Sequence, residues 1–379
     1  MNLVHNSKLL ATIGLAAVLV SCGQHGSGSS IVSGEDVVFR HAHNIKATRC
    51  DGYTVVTLTN PWDTTRLLHR YVLVGDTVAN DGMRPDGTVV RTPLSAAVVF
   101  GSTQCGALKR LKALPQIKGV CDLKYIRIQE VVEAAERQQL KDLGDGMNPD
   151  VEQLITLHPD GLMVSPFENS GGYGRMERLG IPIVECADYM EATPLGRAEW
   201  IRFYGMLFGK EALADSLFAE EEQRYMALKS LAMKATEKPT LLCETKMSAT
   251  WYVSGGKSYM GQMYADAGAD YLFADYEQSG SVALSFETVY ERAHDADVWV
   301  MKYNSPGPLT YTRLAADLPA YKGFKAYKER KVWACNTYYS TLFDDFPYQP
   351  HLLLQDYIKI LHPDLLPDTD LMFFHELTD

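Results

Sequence analysis

The apolar residues of this chain fall into short runs that alternate with helical spacing, and they do so twice, on either side of a segment rich in helix formers. The first series contains Ala96-Ala97-Val98-Val99-Phe100, a helical stretch through Leu108 and Leu111, Gly161-Leu162-Met163-Val164, and Ile181-Pro182-Ile183-Val184. The second contains Thr240-Leu241-Leu242-Cys243, Asp297-Val298-Trp299-Val300-Met301 and Lys331-Val332-Trp333-Ala334. Short buried strands alternating with helices are the pattern of a parallel α/β layer, so two such lobes are expected. Between them, Thr193-Pro194 is a helix start, Gly209 a break, and Leu213, Leu217, Phe218, Tyr225 and Leu228 recur at helical spacing. Residues 211–235 taken as one helix would be about 37 Å long, enough to bridge two lobes. The segment holds no Gly or Pro, so it predicts a rigid connection and little hinge closure.

The fold class expected is therefore α/β: two Rossmann-like lobes joined by a long α-helix. An N-terminal β-hairpin should precede them, because Val37-Val38-Phe39 and Tyr53-Thr54-Val55-Val56-Thr57-Leu58 are β-rich, Asp51-Gly52 marks a turn, and Tyr71-Val72-Leu73-Val74 can continue the sheet. The lobes are assigned to residues 36–192 and 238–379, and the helical connection to 193–237.

Ahead of them, Lys8 is followed by an apolar run from Leu9 to Val20, too short to span a bilayer but suited to a signal-peptide core. Leu19-Val20-Ser21-Cys22 resembles the lipobox of bacterial lipoproteins, and Gly23 to Ser30 reads as a flexible tether. The expected reading is a signal peptide over 1–21, lipidation at Cys22, and a tether within 22–35 that leaves the protein in the periplasm, lipid-anchored to the membrane. An ordinary secretory signal with a chance cysteine would export the chain equally. The net charge of −11 and the absence of a basic stripe argue against nucleic acid as partner.

The segment from Gly146-Met147-Asn148-Pro149-Asp150-Val151-Glu152 through His158-Pro159-Asp160 to Gly161-Leu162-Met163-Val164 is a short amphipathic helix, a Pro-Asp turn and a buried strand. It resembles a hallmark of the periplasmic binding proteins for iron-siderophores and cobalamin. Leu179-Gly180-Ile181-Pro182-Ile183-Val184 and Asn60-Pro61-Trp62 are similar to that family in the same order. Ser285-Phe286-Glu287-Thr288-Val289-Tyr290, followed by Ala296-Asp297-Val298-Trp299-Val300, looks like the same device in the second lobe. The resemblance covers roughly residues 36–370.

It implies a substrate-binding lipoprotein of an ABC importer, a monomer without catalysis or cofactor, that captures an iron(III)-siderophore or cobalamin-type complex between the lobes and delivers it to the membrane permease. It also implies that Glu152 and Glu287 dock onto arginines of the permease. Candidate cleft residues follow the proposed strands: Trp62, Ser102, Thr103, Gln104, Pro166, Phe167, Glu168, Trp251, Tyr252, Tyr303, Tyr338 and Tyr339. Flat aromatic side chains at such ends suit a planar or aromatic chelate, haem included. Arg175 and Lys302 are the nearest basic residues for an anionic ligand.

Three alternatives stay open. A bare zinc or manganese ion would need converging histidines and carboxylates, and only His41-x-His43 places two imidazoles together. A secreted hydrolase could use Glu168, Asp344 and Asp345, but the sequence carries no Gly-x-Ser-x-Gly, His-Glu-x-x-His or phosphate-loop signature. A surface scavenger of haem or cobalamin could work without a permease, and would not use Glu152 and Glu287 for docking.

Overall fold

A computed structural model describes residues 34–77, 85–168 and 172–379; the expected signal peptide, the lipidation site expected at Cys22 and the expected tether lie outside the described residues. Five strands come first: β1 (Glu35–Val37), β2 (Ile45–Cys50), β3 (Tyr53–Thr59), β4 (Leu67–Gly75) and β5 (Thr88–Thr92), in sheet order β1-β2-β3-β4-β5. The β2–β3 hairpin turns at Asp51-Gly52, where Gly52 takes φ 78°, a conformation that favours glycine. The expected turn and the strand after it are present, but the strand before the turn is Ile45–Cys50; Val37 lies on β1, which pairs antiparallel with β2, Val38 and Phe39 lie in no strand, and β5 is added parallel to β4.

The first lobe contains β6 (Ala97–Val99), α1 (Ser102–Arg110), β7 (Ile117–Val120), α2 (Gln129–Glu136), β8 (Lys141–Asp142), α3 (Val151–Thr156), β9 (Gly161–Val164) and β10 (Ile183–Glu185). Its sheet, β10-β9-β6-β7-β8, is wholly parallel. Helices α4 (Pro194–Glu199), α5 (Ile201–Leu207) and α6 (Glu211–Ala232) follow. The second lobe holds β11 (Thr240–Cys243), β12 (Lys246–Met247), β13 (Thr250–Ser254), α7 (Tyr259–Asp266), β14 (Asp270–Tyr271), β15 (Ser281–Leu284), α8 (Phe286–Ala293), β16 (Val298–Tyr303), α9 (Tyr311–Asp317), α10 (Lys325–Lys328), β17 (Val332–Asn336), α11 (Leu342–Asp345), α12 (Pro350–Leu361) and β18 (His375–Glu376). Its main sheet, β14-β11-β16-β17-β18, is parallel except for β18, and β12-β13-β15 form a small antiparallel sheet beside it.

Helix α6 joins the lobes because its buried positions serve two cores in turn. Ala214 and Phe218 pack in the core of the first lobe, Tyr225 and Ala232 in that of the second, all on one apolar stripe. At 22 residues it is about 33 Å long. Between those halves, buried Glu221 accepts from the backbone N–H of His351 at 3.0 Å and meets its Nδ1 at 2.7 Å, tying α6 to α12.

The N-terminal sheet is fastened to the first lobe by two buried carboxylates. Glu199 accepts the backbone N–H groups of Arg40, His41 and Ala42, and Glu191 those of His43 and Asn44. Burial pushes the Glu191 carboxyl up, against the hydrogen bonds from His43 and Trp200 that favour its charge. His41 and His43 therefore lie in the β1–β2 connection rather than on one strand face, with His41 Nε2 2.7 Å from Glu222.

Candidate functional site

Each lobe is built from the same small machine. In the first, Asp150 caps α3 by accepting the Gln153 N–H at 2.9 Å, and Glu152 sits one residue into the helix. In the second, Ser285 caps α8 by accepting the Thr288 N–H at 3.1 Å, and Glu287 occupies the corresponding position. Both glutamates are exposed. Its own backbone N–H, and then the Ser285 hydroxyl, hold the Glu287 carboxyl below the usual range.

The aspartate that ends each device ties the following strand to its neighbour. Asp160 accepts the N–H groups of Ser95 and Ala96 ahead of β6, at 2.6 and 3.1 Å. Asp297 accepts the N–H and hydroxyl of Thr240 at the start of β11, at 2.9 and 2.7 Å, and pairs with Lys325 at 2.6 Å. Partial burial opposes its charge, but Lys325 and Thr240 prevail and bring the Asp297 carboxyl down to about 2.

The aspartates that end these devices lie at the N-terminal ends of the parallel strands, while the start of α3 lies at the other side, where Asp150 and Glu152 line one pocket with Val164 and Ser165; the C-terminal ends are where the lobes meet. Helix α1, starting just after β6, lies on α11 so closely that a Cβ on Gly106 would stand 1.9 Å from the Asp344 carbonyl oxygen. Thr103 Oγ1 donates to the Phe343 carbonyl at 3.4 Å. Arg127, in the loop after β7, donates from its backbone N–H to Asp344 at 3.3 Å and from Nε to the Tyr338 carbonyl at 2.5 Å, with its guanidinium 5.5 Å from the Tyr338 ring. Burial at this junction pushes the Asp344 carboxyl up to about 7, against the Ser102 hydroxyl and the Arg127 N–H.

Deeper in the junction, buried Arg197 of α4 lies 4.9 Å from the Tyr259 ring and 5.1 Å from the Phe346 ring, both of the second lobe. Its Nε donates to Asp188 at 3.1 Å, and the Tyr204 hydroxyl donates to the other oxygen of that carboxylate at 2.9 Å. Asp188 follows the end of β10, so this network binds the strand end of one lobe to aromatic side chains of the other.

The predicted cleft residues divide among several places. Ser102, Thr103 and Gln104 form the first turn of α1, where Gln104 is buried and donates to Ser165 Oγ at 3.2 Å. Phe167 and Glu168 are exposed in the loop after β9, while Pro166 is buried and its carbonyl accepts from Tyr189. Phe167 and Glu152 both line a pocket of about 850 Å³ at the first lobe's strand ends, with Met147, Tyr173 and Arg175. Tyr338 and Tyr339 are exposed after β17, their rings 4.8 Å apart, and Tyr339 donates to the Pro306 carbonyl. Tyr303 ends β16, half-buried, 6.2 Å from the His375 ring. Trp62 lies in the turn leaving β3 and belongs to the N-terminal sheet, at the strand ends of neither lobe.

Trp251 is a correction. It is fully buried on β13, donates from its indole to the Cys243 carbonyl at 3.0 Å, and packs 5.9 Å from Trp299, so it is core and touches no cleft. Its neighbour Tyr252 alternates to the other face of the strand and is exposed. Lys302 and Glu244 form an ion pair at the ends of β16 and β11, so this basic residue, one of the two nearest the proposed cleft loops, is already partnered.

Arg127, Arg197, Asp188 and Phe343 were not singled out by the sequence. The one available signal was a strand at Ile117–Val120, whose exit loop leads to Arg127.

Comparison with known proteins gives a consistent result. Residues 98–339 match the model of a family described as periplasmic binding protein. The chain is 27% identical over 301 residues to an uncharacterized lipoprotein of Methanocaldococcus jannaschii, covering 76% of this chain and 69% of the relative. Among solved structures, a possible iron-binding periplasmic solute-binding protein of Staphylococcus epidermidis aligns with a TM-score of 0.56 at 17% identity, over 72% of this chain and 100% of that one. The periplasmic heme-binding protein HutB of Vibrio cholerae aligns with a TM-score of 0.56 at 17% identity, over 71% and 100%.

Proposed function

The chain belongs to the periplasmic binding protein family, and from that premise we propose that it is the substrate-binding lipoprotein of an ABC importer whose cargo is a bulky metal chelate: an iron-siderophore, a cobalamin-type complex or haem. The observation that carries the choice of cargo is the set of exposed aromatic side chains at the strand ends: Phe167 in one lobe, Tyr338, Tyr339 and Phe343 in the other. Exposed aromatic faces cost solvation unless something flat covers them, and a chelate with an apolar rim does so while leaving polar edges free for hydrogen bonds.

Loading would involve little lobe movement. The Arg197 network, the Glu221–His351 contact and the α1–α11 packing all cross the junction, and large rotation would expose charges now buried. Delivery would use Glu152 and Glu287, one from each lobe, both exposed at the first turn of a capped helix. The anchor would be Cys22, placing the protein at the outer face of the cytoplasmic membrane or in the periplasm.

A titration of the exported chain with cobalamin, haem, ferric hydroxamate and ferric catecholate complexes, followed by tryptophan fluorescence and calorimetry, tests this reading. Saturable one-to-one binding to one class supports it and names the cargo. Silence across that panel, with tight binding of zinc instead, would overturn it in favour of a bare-metal carrier.

A further inference from the structure

The N-terminal sheet creates a second pocket, of about 580 Å³, where β4 and β5 meet β10, the edge strand of the first lobe. Its lining includes Thr88, His69, Glu185 and Tyr173. Thr88 Oγ1 is 2.8 Å from His69 Nε2, and His69 Nδ1 is 3.1 Å from Glu185 Oε2. The other carboxylate oxygen accepts the Tyr173 hydroxyl at 2.8 Å. A carboxylate can only accept, so the imidazole proton belongs on Nδ1 toward Glu185, and Nε2 presents its lone pair to the Thr88 hydroxyl. The Nδ1 contact lies off the line of a hydrogen bond, leaving Oε2 without a hydrogen-bond partner; catalytic contacts of this kind are often loose before substrate binds.

The surroundings fix the pieces. The His69 ring stacks on Tyr71 at 4.4 Å, and the Tyr71 hydroxyl donates to the Ile183 carbonyl and accepts the Glu185 N–H, so imidazole and carboxylate are set by the same residue. Glu185 is buried, whereas the His69 side chain keeps 31% of its surface. Val89, Ile181, Pro182 and Ile183 give the pocket apolar walls.

We propose that Thr88, His69 and Glu185 form a hydrolytic site for short-chain carboxylic esters, separate from the carrier function of the lobe junction. Nucleophile and base stand within hydrogen-bond distance, and the carboxylate that would orient the base lies 3.1 Å beyond it, in the order that acyl transfer uses. Thr88 Oγ attacks the ester carbonyl carbon as its proton passes to His69 Nε2, and the carbonyl π pair moves onto oxygen. Collapse breaks the bond to the alkoxy oxygen, which leaves as an alcohol with the proton from Nε2. Water then attacks the acyl-threonine, gives a proton to Nε2, and the acid departs as Thr88 regains its proton. The balance is ester plus water to acid plus alcohol. His69 and Thr88 precede the family-matched segment and Glu185 lies within it, so the site exists only because this chain carries the added sheet.

The test is turnover of p-nitrophenyl butyrate by the full-length chain in detergent, with acid-quenched samples digested and weighed by mass spectrometry. Saturable hydrolysis is expected, with a butyryl group on the peptide carrying Thr88. Thr88→Val and His69→Ala should each lower kcat/KM about a hundredfold, Thr88→Ser should remain active, and Glu185→Gln should lower kcat more than it raises KM. Thermal unfolding and chelate binding of Thr88→Val should match the parent, showing that its fold and the carrier site are intact. Rates unchanged in a folded Thr88→Val, acylation at another residue, or no turnover above free imidazole would overturn the proposal.

Discussion

The two ends of the parallel sheets are built on opposite plans. At the N-terminal ends the lobes are near copies: a helix runs into a turn, and an aspartate there binds the backbone of the neighbouring strand, Asp160 in one and Asp297 in the other. At the C-terminal ends the copies diverge. The first lobe ends in exposed loops around a pocket, while the second lobe carries an aromatic cluster of Trp251, Trp299, Tyr321 and Phe324 in its core. The similar ends need only hold a strand in place, which local hydrogen bonds do. The divergent ends must join two different lobes, so they depend on contacts between distant residues.

The largest effect should come from breaking the junction. Arg197→Ala leaves Asp188 buried without its cation, and a loss of about 3–5 kcal/mol is expected in denaturant unfolding. The pair Arg197→Met with Asp188→Asn should recover much of it, because burial without charge is far less costly. If the single variant unfolded like the parent, the junction would not be the stiff element described above.

Asp344 sharpens the same contrast through pH. Its carboxyl titrates near 7 in the folded chain against 3.8 unfolded, so the folded state binds the extra proton between those values. Stability should therefore be greatest below about pH 4 on this account and fall as pH rises to about 7, by on the order of 4 kcal/mol for this group alone. Asp344→Asn should flatten that part of the curve, measured by unfolding at a series of pH values. Asp297 has the opposite sign: its carboxyl is held at about 2, so its contribution is present above pH 3.8 and is lost as pH falls toward 2.

At the other ends, Asp160→Ala and Asp297→Ala should each cost about 1–3 kcal/mol by leaving backbone N–H groups of the neighbouring strand unpaired. Similar values would confirm that the devices are equivalent; a large disparity would break the comparison.

How much of this was readable follows the same division. The two devices were legible because helix, turn and strand are consecutive, and periodicity reports consecutive residues. Helix α6 was legible for the same reason, together with its lack of breakers. Strand β7 was not, because Lys118 and Gly119 interrupt its apolar run. With β7 unseen, its exit loop and Arg127 were unseen too. Trp251 was misplaced because a two-residue aromatic run does not reveal which neighbour faces inward until the strand is known. The contact of Arg197 with Tyr259 and Phe346 joins three elements far apart in sequence, and no local pattern reports it.

The smaller predictions concern cargo. Tyr338→Ala should weaken chelate binding about tenfold, since Tyr338 is exposed at the junction and held by Arg127, whereas Tyr252→Ala, on the small antiparallel sheet, should leave the Kd unchanged. Equal losses would mean that the ligand lies along the second lobe rather than at the junction.

The smallest effect on binding should come from Glu152→Ala and Glu287→Ala combined. Both side chains are exposed at helix starts, and neither is paired with a cation among the described residues. Glu152 lines the first lobe's pocket while Glu287 has no such neighbour, so the pair also distinguishes a ligand role from a docking role. Docking predicts an unchanged Kd for the chelate and reduced uptake by cells, because both lobes must engage the permease together. A ligand role for Glu152 predicts that its single variant alone weakens binding, with Glu287→Ala silent. That outcome would make the two devices equivalent in architecture but not in use, extending the asymmetry of the strand ends to the helices beside them.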